Sequence, residues 1–232
     1  SKSYSSLYGW SFKIMFINVN NIRLYYEKHG EGNPLILLHG NEENHFIFDE
    51  AVEKLKKYYT VYTLDSRGHG QSEKVKEYHY QDMANDIKNF IKQLDLKKVT
   101  LMGSSDGAII GLLASSDEPE LIENLILAGV NVKPNGVIDE VYQDMKNQYQ
   151  KTKNPLIKLM LKEPHISNKQ LHQVKAKTLL LAGSDDLIKL DHIERISHHI
   201  ENSKFVILDD EDHSSYIIHN DKIADLIIQY FI

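Results

Sequence analysis

At 232 residues, 41% of them apolar, the chain is long enough for one large domain or two small ones with a sizeable buried core, which excludes a disordered chain. A formal net charge of −6, with Lys far outnumbering Arg, argues against a nucleic-acid partner, because few side chains offer the forked guanidinium contacts such binders use. The absence of cysteine excludes a disulfide framework, a thiolate nucleophile and a cysteine-held metal, and makes a cytoplasmic location the expectation.

Residues 1–14 read as an extension of unknown role. Ser1 to Ser11 lack the basic region and apolar core of a secretion signal, and no apolar stretch approaches a bilayer span, so no membrane insertion is expected. Alternation predicts strands at Ile14 to Val19, Ile22 to His29, Pro34 to Leu38 and Thr60 to Leu64, with amphipathic helices at Phe46 to Lys57 and Gln81 to Gln93. A short apolar run, Val99 to Met102, leads into a helix at Gly107 to Ser116. Strands follow at Ile122 to Gly129, Thr178 to Ala182 and Lys204 to Leu208, with helices at Asp191 to Ile200 and Lys222 to Phe231. Strands alternating with helices predict an α/β fold: a mostly parallel sheet covered on both faces.

The interval from Asn131 to Gln170 breaks this rhythm. It holds helix-like stretches at Val137 to Gln150 and Leu156 to Lys162 with no strand between, and reads as an inserted helical cap, 131–170, on a single domain spanning 1–232.

Open parallel sheets bind ligands at the carboxyl ends of their strands. Four such places carry chemistry here. His39, Gly40 and Asn41 follow the third strand, and Asp65 to Ser72 follow the fourth; Gly183 to Asp186 and Asp209 to His213 follow the last two. Between them Gly103-Ser104-Ser105-Asp106-Gly107 forms G-x-S-x-G at a strand-to-helix turn, where a serine is held in strained backbone and projects over the positive end of the following helix.

Taken in order, H-G-x, D-x-R-G-x-G-x-S, G-x-S-x-G, G-x-x-D and a late D-H resemble the α/β-hydrolase superfamily, from about Met15 to the end of the chain. The resemblance implies Ser105 as nucleophile, Asp186 as the acid and His213 as the base. It also implies an oxyanion hole made by the backbone amides of Asn41 and Asp106. Imidazole takes the serine proton, the carboxylate fixes its tautomer, and the amides stabilise the oxyanion, so no cofactor is needed.

Within the family, Ser rather than Asp at the elbow argues against epoxide hydrolase and dehalogenase chemistry. The expected activity is cleavage of a small carboxylic ester through an acyl-enzyme. Two rivals stand beside it: hydrolysis of a carbon-carbon bond in a diketone-like acid, whose carboxylate the cap lysines would hold, and a slow-turnover ligand receptor on the same fold.

The Asp106 side chain is a candidate substrate-binding group, since elbows reading Ser-Asp-Gly resemble a subset some of whose members act on amino-acid esters; a side chain capping the helix or paired with a nearby lysine is the alternative. Glu42 and Glu43 add acid near the mouth. Leu156 to Leu161 are expected to form the cap's apolar underside, and Tyr142 and Tyr149 its entrance. A short cap implies a shallow acyl pocket. His39 and the Arg67 to Ser72 loop read as structural, and His192, His198 and His199 as a solvated face without metal-ligand spacing.

Overall fold

The computed structural model describes residues 2–5 and 11–232. Nine strands form one sheet among them: β1 (Lys2–Ser5), β2 (Ser11–Val19), β3 (Ile22–His29), β4 (Asn33–Leu38), β5 (Tyr59–Leu64), β6 (Thr100–Ser104), β7 (Asn124–Ala128), β8 (Lys177–Asp185) and β9 (Ser203–Asp212). Their order is β1-β2-β3-β5-β4-β6-β7-β8-β9. β1, β2, β3 and β5 pair antiparallel in turn; from β5 through β4 to β9 every pairing is parallel. Of the 1–14 extension, backbone 2–5 pairs with 11–14 at the sheet edge, a strand the sequence reading did not foresee. Residues 1 and 6–10 lie outside the described residues.

The central strands are buried on both faces, so they read as unbroken apolar runs instead of alternating ones. Successive side chains nevertheless part to opposite layers. Leu35, Leu37, Met102, Ile126, Leu179 and Leu181 pack on α1 (Asp49–Leu55) and α8 (Lys222–Phe231). Ile36, Leu38, Leu101, Leu125, Leu127 and Leu180 pack on the other layer, built from α2 (Tyr80–Gln93), α3 (Asp106–Asp117) and α7 (Leu190–His199). α3 is buried on every side from Asp106 to Ser116, as an all-round apolar helix must be.

Between β7 and β8 run α4 (Asp139–Thr152), α5 (Pro155–Lys162) and α6 (Asn168–Gln173). α6 was not anticipated; its start is fixed by a capping box, Ser167 Oγ accepting the Gln170 amide while Gln170 Oε1 accepts the Ser167 amide. The last two strands also run further than the expected ends, Ala182 and Leu208. β8 continues through a bulge at Gly183/Asp185 and pairs Asp185 with Asp212, which carries both acid-rich segments out over the sheet's carboxyl edge.

Candidate active site

The elbow is built by close approach. A Cβ on Gly103 would strike the Gly107 carbonyl, and one on Gly107 would strike the Leu38 carbonyl, so neither position admits a side chain. Between them Ser105 sits at φ 56°, ψ −114°, with its amide donating to the Ala128 carbonyl at 2.8 Å. That strained residue is locked to the end of β7 and opens the pocket above the sheet.

Asp186 follows the β8 bulge. Its carboxylate is fully buried; Oδ2 accepts the Gly183 amide at 3.1 Å, and Oδ1 accepts the Ile188 amide at 3.0 Å and His213 Nδ1 at 2.7 Å. Asp185 next to it points to solvent. His213 leaves β9 in a turn fixed by Asp212, whose Oδ1 accepts the Ser214 and Ser215 amides at 3.0 and 2.9 Å. No hydrogen bond joins Ser105 Oγ to His213 among the described residues, but both line one pocket. A serine-histidine bond that closes only with substrate present is common in unliganded hydrolases.

Asn41 and Asp106 meet at the same place. Asp106 opens α3, so its amide is one of the four without an intrahelical acceptor. Its carboxylate is buried and held by two donors: Tyr80 Oη on Oδ1 at 2.7 Å and Asn41 Nδ2 on Oδ2 at 2.9 Å.

Residues 33–159, more than half of the chain, match the family described as alpha/beta hydrolase fold. The chain belongs to the alpha/beta hydrolase family. It is 26% identical to human serine hydrolase BPHL, across 96% of this chain and 87% of that one. It is 27% identical to AB hydrolase superfamily protein YisY of Bacillus subtilis, across 90% and 96%. Among solved structures, an esterase from Exiguobacterium antarcticum superposes with a TM-score of 0.82 at 22% identity, covering 93% of this chain and 98% of that one. A meta-cleavage product hydrolase from Pseudomonas fluorescens superposes at 0.76 with 17% identity, covering 94% and 97%.

The pocket of this alpha/beta hydrolase is small, about 90 Å³, and mainly apolar. Val137, Val141, Met145, Met160, Leu187 and Ile188 wall it, and among the described residues Asp106 and Glu163 are the acidic ones that line it. Among the described residues no Lys or Arg lines it, so the cap lysines stand elsewhere. Tyr142 and Tyr149 are not at the pocket either; each ring takes a lysine ammonium, Lys146 at 5.7 Å and Lys153 at 5.1 Å. Met160 is the member of the Leu156 to Leu161 run that reaches the cavity, while Ile157 and Leu159 are buried beside it.

The charges are arranged around His213. Burial disfavours its protonated form, but the bond to Asp186 and the charges of Asp186, Glu43 and Asp106 prevail, and its pKa is raised above the usual 6.5. Burial pushes the Asp106 carboxyl up to about 6, against the pull of the Tyr80 and Asn41 hydrogen bonds. Burial likewise raises Glu43, whose Oε1 accepts the Gly40 amide at 2.8 Å.

The loop before the pocket rests on neutral histidines. His39 Nδ1 donates to the Gly40 carbonyl and its Nε2 accepts the Ser66 amide; His69 Nε2 accepts the Glu42 amide at 3.1 Å. Arg67 forks onto buried Asp86 with two bonds of 2.8 Å. These residues hold the strand ends, as expected of them. His192 does not belong to a solvated face: it is half-buried, and its Nε2 accepts the Val132 amide at 3.1 Å. Among the described residues, no group of three or more His, Asp or Glu side chains is placed to hold a metal ion, and no helix is long and apolar enough to cross a membrane.

Tyr80, Glu163 and Gly129 carry no signal in the sequence, whereas Glu43 stands near the mouth as expected. Tyr80 lies 26 positions before Asp106 and carries no spacing signal.

Proposed function

We propose that the chain is a serine hydrolase cleaving small carboxylic esters through an acyl-enzyme on Ser105. The observation that carries this reading is the bond of 2.7 Å from His213 to buried Asp186, with the imidazole opening on the same pocket as a serine on a strained elbow. His213 takes the Ser105 proton as the hydroxyl attacks the ester carbonyl, and Asp186 holds the imidazole tautomer and stabilises its charged form. The amides of Asn41 and Asp106 receive the oxyanion; losing one such donor costs about 3–4 kcal/mol of barrier. His213 then returns its proton to the leaving alkoxide and activates the water that releases the acid. The absence of cysteine is compatible with a cytoplasmic site of action.

A carbon-carbon bond hydrolase acting on a diketone-like acid would bring a carboxylate into this pocket. Asp106 and Glu163 would repel it, and among the described residues no Lys or Arg lines the cavity to hold it. The same acids favour an ester bearing a free amino group. Asp106 spends one acceptor position of each oxygen on Tyr80 and Asn41 and keeps others for an ammonium.

The test is a fluorophosphonate label with mass spectrometry of the adduct, followed by turnover on an ester and thioester panel. The label is expected on Ser105. Ser105→Ala and His213→Ala should each abolish turnover, with the double variant scarcely worse than either single one. Additive losses, or a single slow burst on every ester as a receptor would give, would refute the reading.

A further inference from the structure

The bonds around Asn41 hold more than the loop it sits in. Its Nδ2 donates both to Asp106 Oδ2 and, at 3.1 Å, to the carbonyl of Leu156 in the first turn of α5. Asn154, the N-cap of that helix, accepts the Leu156 amide on Oδ1 at 2.9 Å and donates from Nδ2 to Glu42 Oε1 at 2.6 Å. Glu42 is itself fixed, with φ 61° and its amide on His69. Two crossties therefore run from consecutive residues of the loop, 41 and 42, to the start of α5. One helical turn beyond Leu156, on the same face, Met160 forms part of the pocket wall.

Resting on the ester reading, we propose that Asn154 and Glu42 are specificity-determining residues that tie the seating of α5 to the placement of the Asn41 amide. The pocket is small and much of its wall, Val137, Val141, Met145 and Met160, belongs to the segment between β7 and β8. An acyl chain longer than the cavity must push that wall outward. Movement of α5 then pulls residues 41 and 42 through the crossties and draws the Asn41 amide off the oxyanion. That hydrogen bond strengthens only in the transition state, so oversize chains lose kcat while KM changes little. The device rejects long chains by spoiling the chemistry instead of the fit.

The experiment compares kcat and KM on p-nitrophenyl butyrate and octanoate for the wild type, Asn154→Asp and Glu42→Gly. Asn154→Asp keeps the N-cap acceptor but sets a second carboxylate against Glu42. Glu42→Gly cuts the same crosstie from the other end and suits the positive φ there. The wild type should turn over octanoate about tenfold more slowly than butyrate at similar KM, and each variant should narrow that kcat ratio by about threefold or more. Butyrate turnover by Asn154→Asp should stay within about twofold of the wild type. An unchanged ratio in either variant, or a wild-type penalty carried by KM alone, would overturn the inference while leaving the ester reading intact. Failure of the wild type to turn over either ester would overturn the ester reading and this inference with it.

Discussion

Gly129 leaves open the space that the His213 imidazole fills. A Cβ at position 129 would lie 2.6 Å from His213 Cε1 and 2.7 Å from Nδ1, and the residue has φ 63°, a conformation side chains disfavour. Its amide bonds the Leu181 carbonyl at 2.9 Å, so the backbone cannot easily retreat. Gly129→Ala should therefore displace the imidazole from Asp186 and lower kcat by about a hundredfold or more, as misplacement of a reacting group by an ångström does. Thermal unfolding should show a smaller cost, about 1–2 kcal/mol for the left-handed conformation. Wild-type kcat in a folded Gly129→Ala variant would show that His213 has freedom this packing denies it.

Asp185 and Asp186 are adjacent carboxylates with opposite surroundings. Asp186 is buried on His213 and two amides, and Asp185 faces water. Asp186→Asn should cut kcat by about 10³–10⁴ because the histidine loses its tautomer, with the fold retained. Asp185→Asn should change kcat by less than about threefold. Steady-state kinetics with circular dichroism on both variants decide it, and the reverse ranking would reassign the acid.

Much of this site was legible before the structure. G-x-S-x-G forces the elbow because no Cβ fits at positions 103 and 107, and three residues from Gly183 to Asp186 are what the turn closing on the Gly183 carbonyl requires. The strand expected at Pro34 to Leu38 is present as β4, and the structure buries it on both faces. What escaped arises where distant segments meet. Tyr80 reaches Asp106 only because the start of α2 stands beside the start of α3, and Glu163 lines the pocket while accepting the Tyr80 amide at 3.1 Å. The tyrosines of α4 were misread for a related reason. Helical period alone does not say which face turns inward, and here Val141 and Met145, four apart, face the cavity in place of Tyr142 and Tyr149.

If His213 is the base, as proposed, the acid limb of activity follows from it. The base must be neutral to take the serine proton, so kcat/KM should fall as pH drops through its pKa, and that pKa is raised above 6.5 by Asp186, Glu43 and Asp106 against the opposing effect of burial. Glu43→Gln removes one of those negative charges. The limb of the kcat/KM profile should then move to lower pH, making the variant relatively more active near pH 6 than the wild type. A limb that stays in place, or moves up, would show that Glu43 does not act on the base.

Asp106 supplies the sharpest test of substrate class. Its carboxyl titrates at about 6, so above neutral pH it presents a charge to the pocket, and falling pH removes that charge. An ester with a free α-amino group should be preferred over its neutral isostere at pH 7.5, by about tenfold if the ammonium gains one charge-assisted hydrogen bond worth roughly 1.5 kcal/mol. The preference should shrink toward pH 5.5. Asp106→Asn is nearly isosteric and keeps the local bonds, because Oδ1 turned toward Asn41 accepts from Nδ2 while the new amide donates to the Tyr80 hydroxyl. It should lose the preference yet hydrolyse the neutral ester within a few-fold of the wild type, since the backbone amide assigned to the oxyanion is unchanged. Matched kcat/KM values for the two esters in the wild type would remove Asp106 from substrate recognition and leave it the role of fastening α2 and residue 41 to the start of α3.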